Sequence, residues 1–263
     1  MPRFREDVWG ALPTQFNGKG LESLVSADAV WQEIDCGLLA RPFVRLHPDS
    51  RIADITRMVV NNPLSGYMDL ERTRNAVQAG AVLVLERAEL WHSGVTHACS
   101  ELARDLPFGV TGTVVLLPLN KDAASLRAVL GASTSEHLLI AVTQGSLYVD
   151  VGRVEEANDL PGAFSGIVPS GAVVYVPPLY ALQATAADDT TTVVVFRVSE
   201  PSANQLAEVA LALFVHGPAQ NIAGTHQAMT LVDKLDWLRD QLSNYCSSIS
   251  AKSLLEHYLQ VNE

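Results

Sequence analysis

Apolar residues along this chain follow a helical spacing first, then alternate, and then return to a helical spacing. In the first part, residues 69–79 form an amphipathic pattern closed by Gly80, and the apolar run 81–85 follows as a strand. From Val110 onward, Val- and Thr-rich runs bounded by Gly and Pro predict strands at residues 113–117, 137–143, 146–151, 171–176 and 191–198. After Pro201 the spacing predicts helices at residues 204–216, 229–247 and 252–260.

This order of elements predicts an α+β protein in which a compact β-rich region has helices on both sides. Before that region we also expect a helix at 91–106, ended by Pro107, and a short strand at 42–46. The pair Gln144-Gly145 predicts a tight hairpin between the second and third strands of the β-rich region. We therefore expect one domain over residues 1–199 and a C-terminal helical segment over residues 200–263.

Bulk properties narrow the functional classes. No apolar run approaches the roughly 20 residues that a membrane helix needs, and the start has no apolar signal-peptide core, so a cytoplasmic protein without a membrane partner is expected. A net charge of −11 without a basic cluster argues against nucleic-acid binding. The three cysteines are widely spaced and are interpreted as reduced thiols.

Four segments carry a resemblance to a known family. They are FREDVWGALPTQF near the start, DLERTRNAVQAGAVLVLERAELW at 69–91, LLIAVTQG at 138–145 and SGAVVYVPP at 170–178. Together they resemble the bacterial ribosomal-oxygenase-like branch of the JmjC/cupin family, often called cupin-4, over residues 4–215. The resemblance implies a double-stranded β-helix (cupin/JmjC jelly-roll) barrel, an N-terminal helical region and a C-terminal helical dimerisation segment.

The resemblance also implies where the iron ligands of that family should fall. The proximal His and Asp correspond to Ala132 and Thr134, the distal His to Leu182, and the lysine that binds 2-oxoglutarate to Leu147. Fe(II) in such sites needs two imidazoles and a carboxylate, and alkyl groups have no donor atoms. We therefore predict a degenerate member, a metal-independent pseudo-oxygenase that uses no cofactor.

Side chains alternate across a strand, so the residues facing the barrel interior can be predicted. They are Leu147, Val149 and Val151; Thr191, Val193, Val195 and Arg197; and Thr113, Val115 and Leu117. An aliphatic lumen with Arg197 at its mouth suits a largely apolar small molecule that carries an acidic group. Two alternatives stay open: Arg197 forms a salt bridge with Asp150, Glu155 or Glu156, or the lumen is packed with its own side chains.

Other candidates lie close to the vacant ligand positions. Glu136 and His137 are a candidate relocated ligand pair or acid/base dyad, or simply two residues at the start of a strand whose side chains point in opposite directions. Tyr175, Tyr180 and Gln183 are candidates to hydrogen-bond a ligand, or serve packing and the turn. The helix at 91–106 also carries His92, His97 and Glu101, of which the last two have the i, i+4 spacing of metal ligands, although a solvated helix face is the simpler interpretation.

Two functions from different classes follow. The first is a degenerate JmjC-like cupin that acts as a binding or partner protein, or as a metal-independent enzyme, and that forms a homodimer or a heterodimer with an active paralogue. The second is an Fe(II)/2-oxoglutarate-dependent hydroxylase whose ligands are relocated to Glu136, His137 and an unidentified third residue.

Overall fold

A computed structural model describes residues 4, 8–37, 39–47, 66–106, 108–119, 124–153, 164–187, 190–216, 229–250, 253–254 and 257–258. The chain forms two compact units, residues 1–199 and residues 200–263. The first unit contains the β-rich region and the helices that precede it, and the second contains helices. The α+β class predicted from the sequence is therefore confirmed.

The helices before the β-rich region begin where polar side chains cap them. The Ser26 side chain accepts a hydrogen bond from the Ala29 N–H, and the Asp69 side chain accepts one from the Arg72 N–H. Such caps satisfy amide groups that the first turn of a helix leaves without partners. The helices are α1 (Ala27–Asp35), α2 (Leu70–Gln78) and α3 (Ser93–Asp105).

Strands in the described part of the first unit form a seven-stranded sheet and a four-stranded sheet, both antiparallel. The large sheet has the order β1-β9-β6-β11-β4-β3-β2 and the small sheet β5-β10-β7-β8. The strands are β1 (Thr14–Asn17), β2 (Val44–His47), β3 (Val82–Leu85), β4 (Gly109–Pro118), β5 (Ala124–Ser125), β6 (His137–Gln144), β7 (Ser146–Arg153), β8 (Phe164–Pro169), β9 (Ala172–Val176), β10 (Tyr180–Ala186) and β11 (Thr190–Ser199).

The large sheet separates two hydrophobic clusters. Its inner face packs on the small sheet and on the short helix α4 (Leu126–Leu130), and this cluster is the barrel lumen. Its outer face packs on α1, α2 and α3, and this cluster includes the aromatic residues near the start of the chain. Strand alternation assigned residues to these two faces correctly, since Val193 and Val195 lie inside while Val194 and Phe196 lie outside.

The predicted hairpin at Gln144-Gly145 is wrong. Strand β6 pairs with β9 and β11 in the large sheet, whereas β7 pairs with β8 and β10 in the small sheet. The chain therefore turns a corner between the sheets at Gly145. Its φ is 79°, and a Cβ there would lie 2.9 Å from Thr191 Oγ1 and 3.0 Å from the Thr190 carbonyl oxygen, so glycine suits both the conformation and the space.

The sequence patterns did not predict β1, β5, β8 or β10. Strand β10 reads YALQATA, in which the inward residues Leu182, Ala184 and Ala186 are buried and the residues between them face outward. Alanine has low strand propensity, so alternation with small residues gave a weak signal. Sheet pairing with β7 and β5 nevertheless holds this segment as a strand.

The second unit contains α5 (Ala203–His216) and α6 (Leu231–Ser248), close to the predicted bounds. Helix α6 begins with a capping box between Thr230 and Asp233. Only residues 253–254 and 257–258 of the predicted third helix lie within the described residues, and they are helical. None of the helices described combines the length and the apolar character needed to cross a bilayer.

Candidate functional site at the mouth of the barrel

Two chain segments meet at the end of the barrel where the resemblance places the iron ligands. One is the turn at residues 131–136 between α4 and β6, and it carries Ala132 and Thr134. The other is the turn at residues 177–179 between β9 and β10, which leads to Leu182. The Leu179 N–H donates a hydrogen bond to the Thr134 carbonyl oxygen at 2.8 Å, so the turns lie side by side.

Arg127 of α4 lies between these two turns. Its Nε donates to the Tyr180 carbonyl oxygen at 2.6 Å, and Nη2 donates to the Pro177 carbonyl oxygen at 2.9 Å. On the other side, Nη1 donates to the Ser133 carbonyl oxygen at 2.8 Å, and both Nη atoms donate to the Glu136 carbonyl oxygen at 3.1 Å. The residue is 6% exposed, and burial lowers the pKa of the Arg127 guanidinium, an effect that Glu136 opposes. Arg127 therefore joins the two turns through main-chain acceptors.

Arg197 forms an ion pair, as one of the two open alternatives held, but its partner is Glu136. Its Nη2 lies 2.9 Å from both carboxylate oxygens of Glu136, which also accepts hydrogen bonds from the Ser133 N–H and the Ser199 hydroxyl. The partner is not Asp150, which lies on β7, and the alternative partners Glu155 and Glu156 lie outside the described residues. The sequence analysis treated Glu136 and Arg197 as separate candidates, whereas they form one ion pair.

A second ion pair adjoins the first. Arg45 of β2 pairs with Glu86, and Glu86 also accepts a hydrogen bond from the Thr113 hydroxyl at 3.3 Å. Arg45 and Arg197 both donate to the Leu130 carbonyl oxygen, at 3.2 and 3.4 Å. The charged groups at the mouth are thus paired, as partly buried charges usually are, although the buried Arg197 Nε has no hydrogen-bond partner among the described residues.

The lumen behind this mouth is filled with aliphatic side chains. Leu147 and Leu182, the positions of the co-substrate lysine and the distal histidine, are 0% and 1% exposed and belong to the same packed cluster. Strands of both sheets and α4 contribute to it, among others through Val115, Leu126, Leu138, Ile140, Val149, Val151, Val168, Val174, Val193 and Val195. The prediction of an aliphatic interior is confirmed. The hypothesis of an apolar ligand inside it, approached by a free Arg197, is wrong because the chain's own side chains occupy that space.

His137 and Tyr175 lie on the outer face of the large sheet and not in the lumen. The Tyr175 hydroxyl accepts a hydrogen bond from the Gly10 N–H at 2.7 Å and lies 2.7 Å from His137 Nδ1. The His137 ring stacks on Trp9 with centroids 4.0 Å apart. Glu136 and His137 therefore point in opposite directions, and the geometry does not favour a ligand pair or dyad.

The remaining candidates also have structural roles. The Tyr180 hydroxyl donates to the Ala11 carbonyl oxygen at 3.4 Å, and Gln183 is exposed on the outward side of β10. On α3, the His92 Nδ1 atom accepts the Val95 N–H as a helix cap, and Glu101 forms an ion pair with Arg104. These contacts support the interpretation of α3 as a solvated helix face.

The residues at the implied iron site do not fit an iron ion. Ala132 and Leu182 have no donor atoms, and Thr134 is exposed with a single hydroxyl, which is a weak ligand. Across the part of the chain that the structure describes, no group of three or more His, Cys, Asp or Glu side chains is arranged to hold a metal. Among the described residues, the buried cationic group beside these two turns is the Arg127 guanidinium.

Sequence reasoning missed Arg127. In α4 the apolar residues Leu126, Val129 and Leu130 face the lumen. This pattern predicts that the arginine between them lies on the solvent-exposed side of a short helix. Its acceptors are main-chain oxygens of turns 6 to 53 residues away, which leave no side-chain signal in the sequence.

Neither a family model nor a curated protein matches this chain. Solved structures do match, among them the Escherichia coli ribosomal oxygenase YcfD. One structure has 14% identity and a TM-score of 0.60 and covers 97% of this chain and 67% of YcfD. Another has 16% identity, a TM-score of 0.60 and coverage of 98% and 67%. A third, solved with cobalt and 2-oxoglutarate, has 14% identity, a TM-score of 0.58 and coverage of 97% and 67%. At these identities the likeness concerns the fold, and this chain has the JmjC/cupin fold of the ribosomal oxygenases, as the resemblance predicted.

Proposed function

We propose that this protein is a JmjC-like cupin that works as a binding or partner protein and does not carry out iron/2-oxoglutarate chemistry. The observation that carries the proposal is the packed lumen, in which Leu147 and Leu182 are buried among aliphatic side chains. A buried co-substrate carboxylate needs a cation beside it. Leu147 supplies none, and the two arginines at the mouth, Arg127 and Arg197, are engaged with carbonyl oxygens and with Glu136.

The partner surface that we propose lies on the C-terminal helices. On α6, three leucines at i, i+4 and i+7 are exposed to solvent: Leu231 is 73%, Leu235 59% and Leu238 39% exposed. At 3.6 residues per turn they form one stripe along the helix. Such an apolar stripe is typical of a helix that pairs with another chain, so we propose that the second unit mediates a homodimer, or a heterodimer with an active paralogue.

The dimer is tested in the full chain. Leu235→Lys places a charge in the stripe and should lower the molar mass measured by light scattering from that of a dimer to that of a monomer. Asn244→Lys adds the same charge on the opposite side of α6 and should leave the mass unchanged. A Leu235→Lys protein that stays dimeric contradicts this surface.

An Fe(II)/2-oxoglutarate-dependent hydroxylase with relocated ligands is the second candidate. The observation that favours it is the likeness to YcfD over nearly the whole chain, including a YcfD structure with cobalt and 2-oxoglutarate. Its proposed ligands would include Glu136 and His137, although Glu136 is bound to Arg197 and His137 to Tyr175.

Metal analysis decides between the two candidates. Protein purified without chelator should hold far less than one iron per chain, and added iron and 2-oxoglutarate should yield no succinate. Stoichiometric iron with succinate production would overturn the first proposal. In that event Glu136→Gln and His137→Ala test the relocated ligands, because each should then reduce the bound iron.

A further inference from the structure

Four main-chain carbonyl oxygens converge on the side chain of Arg127. They belong to Ser133 and Glu136 in one turn and to Pro177 and Tyr180 at the other, at 2.6 to 3.1 Å from the guanidinium nitrogens. A guanidinium has five N–H donors in a planar fork, and the five hydrogen bonds to these oxygens match that number. The set consists of acceptors alone, so it is complementary to a cation.

The turns that supply these oxygens are the ones that carry the implied iron positions. The 131–136 turn contains Ala132 and Thr134, and the 177–179 turn leads to Leu182. In this fold a metal at those positions would tie the start of β6 to the start of β10. Here the described residues of both turns are tied by Arg127, and by one hydrogen bond from Leu179 to Thr134.

We infer that the carbonyl oxygens of Ser133, Glu136, Pro177 and Tyr180 form a guanidinium-binding site, which the chain fills with its own Arg127 in place of a metal. The inference rests on the proposed function in one respect, since a guanidinium between the two turns takes the place of a metal there. The site itself stands on the hydrogen bonds alone.

The chemistry of the site selects a guanidinium over other cations. A lysine ammonium has three donors on a point charge and cannot reach acceptors on both turns in the plane that the fork spans. The contacts with the Pro177 and Tyr180 carbonyl oxygens are buried, so loss of the Arg127 side chain would remove a donor where water does not reach. The contacts with Ser133 and Glu136 are part-buried, and the Ser133 carbonyl oxygen also accepts from the Glu136 N–H. The Glu136 carboxylate offsets part of the Arg127 charge, and the same carboxylate is paired with Arg197.

The site also explains how an unusual turn is held. Leu179 has a φ of 66°, in the left-handed region that bulky residues avoid, and its side chain is 62% exposed. Arg127 binds the carbonyl oxygens of Pro177 and Tyr180, which flank this residue on both sides. Arg127 is therefore a positioning residue for the turn.

Chemical rescue tests the site in the full chain. Arg127→Ala should lower the melting temperature by about 5 °C or more, because it leaves buried carbonyl oxygens without donors. Millimolar ethylguanidinium, which reproduces the deleted atoms beyond Cβ, should restore at least half of that loss. Ethylammonium has the same ethyl group and charge without the fork and should restore none. Arg104→Ala, which breaks the exposed pair with Glu101, is the matched control and should lose less than about 1 °C with no response to either compound.

The results distinguish a failure of the guanidinium site from a failure of the proposed function. Equal responses of Arg127→Ala to ethylguanidinium and ethylammonium, or no response to either, would overturn the site. If Arg127→Ala does not fold in any condition, Arg127→Lys takes its place: a melting temperature equal to wild type overturns the inference, and a loss of about 5 °C supports it. Cobalt added to wild type tests the proposed function separately. A cobalt-induced rise in melting temperature would count against a metal-free protein and would leave the rescue result to judge the guanidinium site.

Discussion

The two faces of the seven-stranded sheet are built differently. On the inner face, Leu138, Ile140 and Val174 pack on aliphatic side chains of the small sheet. On the outer face, the same strands carry His137 and Tyr175, which stack with Trp9. The Tyr175 hydroxyl accepts a hydrogen bond from the Gly10 N–H and is hydrogen-bonded to His137 Nδ1. The inner face is thus held by burial and the outer face by burial together with directional contacts.

This difference shows how histidine and tyrosine, residue types that are common in active sites, can have a structural role. In an oxygenase of this fold the polar residues are expected in the lumen, close to the metal. Here the histidine and tyrosine on β6 and β9 face outward, where they fasten the segment near Trp9 to the sheet. The side of the strand, and not the residue type, decides whether such a residue reaches the site.

The largest effect that we expect is a difference in reactivity between a thiol packed on the outer face and the exposed thiols. Burial, with a smaller contribution from Glu89, raises the pKa of Cys99 to about 12. Because the thiolate is the reactive form, alkylation of Cys99 at pH 8 should be at least about 100-fold slower than alkylation of the exposed Cys36 and Cys246.

Mass spectrometry after timed iodoacetamide treatment measures these rates, and urea-unfolded protein is the control in which all three thiols should react alike. The raised pKa of Cys99 also determines how the stability of the fold changes with pH. The neutral thiol stabilises the fold below the unfolded-state value of 9.0, and this contribution is lost as the pH rises from 9.0 toward about 12. Rapid labelling of Cys99 in the native protein would contradict a tightly packed outer face.

The second prediction tests whether the lumen is packed. Leu182→Ala should lower the free energy of unfolding by about 2–5 kcal/mol, because it opens a cavity in a cluster that cannot close around it. Gln183→Ala is the matched control: it lies next to Leu182 on the exposed side of β10 and should change stability by less than about 0.5 kcal/mol. Urea unfolding monitored by circular dichroism measures both. Equal small effects would mean that the lumen is open.

The third prediction concerns the hydrogen bonds of the outer face. Tyr175→Phe removes the hydroxyl that binds the Gly10 N–H and His137, and should cost about 1–3 kcal/mol. Hydrogen exchange at the Gly10 amide should accelerate by more than the global loss of stability explains. Tyr148→Phe removes a hydroxyl whose bond to Ser165 is exposed, and should cost less than about 0.5 kcal/mol. If the two variants lose equal stability, directional contacts do not distinguish the faces.

The fourth prediction addresses the mouth, where the inner face becomes polar. A double-mutant cycle with Glu136→Ala and Arg197→Ala should give a coupling energy of about 1–2 kcal/mol, because both side chains are largely buried and Arg197 Nη2 contacts both carboxylate oxygens. The same cycle for the exposed Glu101–Arg104 pair should give less than about 0.5 kcal/mol. A coupling at Glu136–Arg197 as weak as that of the control would leave room for Arg197 to bind something else.

Much of the fold could be predicted because alternation and helical spacing report burial directly. The faces of β7 and β11 followed from the period of two, α2 from its apolar spacing and Gly80, and α5 and α6 from their apolar spacing. The pairing partners could not be predicted, since nothing local distinguishes a hairpin from a corner between two sheets at Gly145. The resemblance implied that Ala132, Thr134 and Leu182 stand at the ligand positions, but the sequence left open whether the lumen behind them is packed.

Two of the corners between the sheets illustrate this limit and lead to the smallest expected effect. Glycine at position 145 indicates a turn from the sequence alone, whereas Leu179 takes the left-handed conformation at another corner and its residue type gives no such indication. Leu179→Gly should relieve that strain and be more stable than Leu179→Ala by about 0.5–1 kcal/mol, because both remove the same exposed side chain and only alanine keeps the Cβ. Comparing glycine with alanine at one position isolates the backbone, and thermal unfolding of the two variants measures the difference. If Leu179→Ala is as stable as Leu179→Gly or more stable, the backbone at this turn is not strained. The hydrogen bonds of Arg127 with the Pro177 and Tyr180 carbonyl oxygens would then hold the corner against no backbone strain.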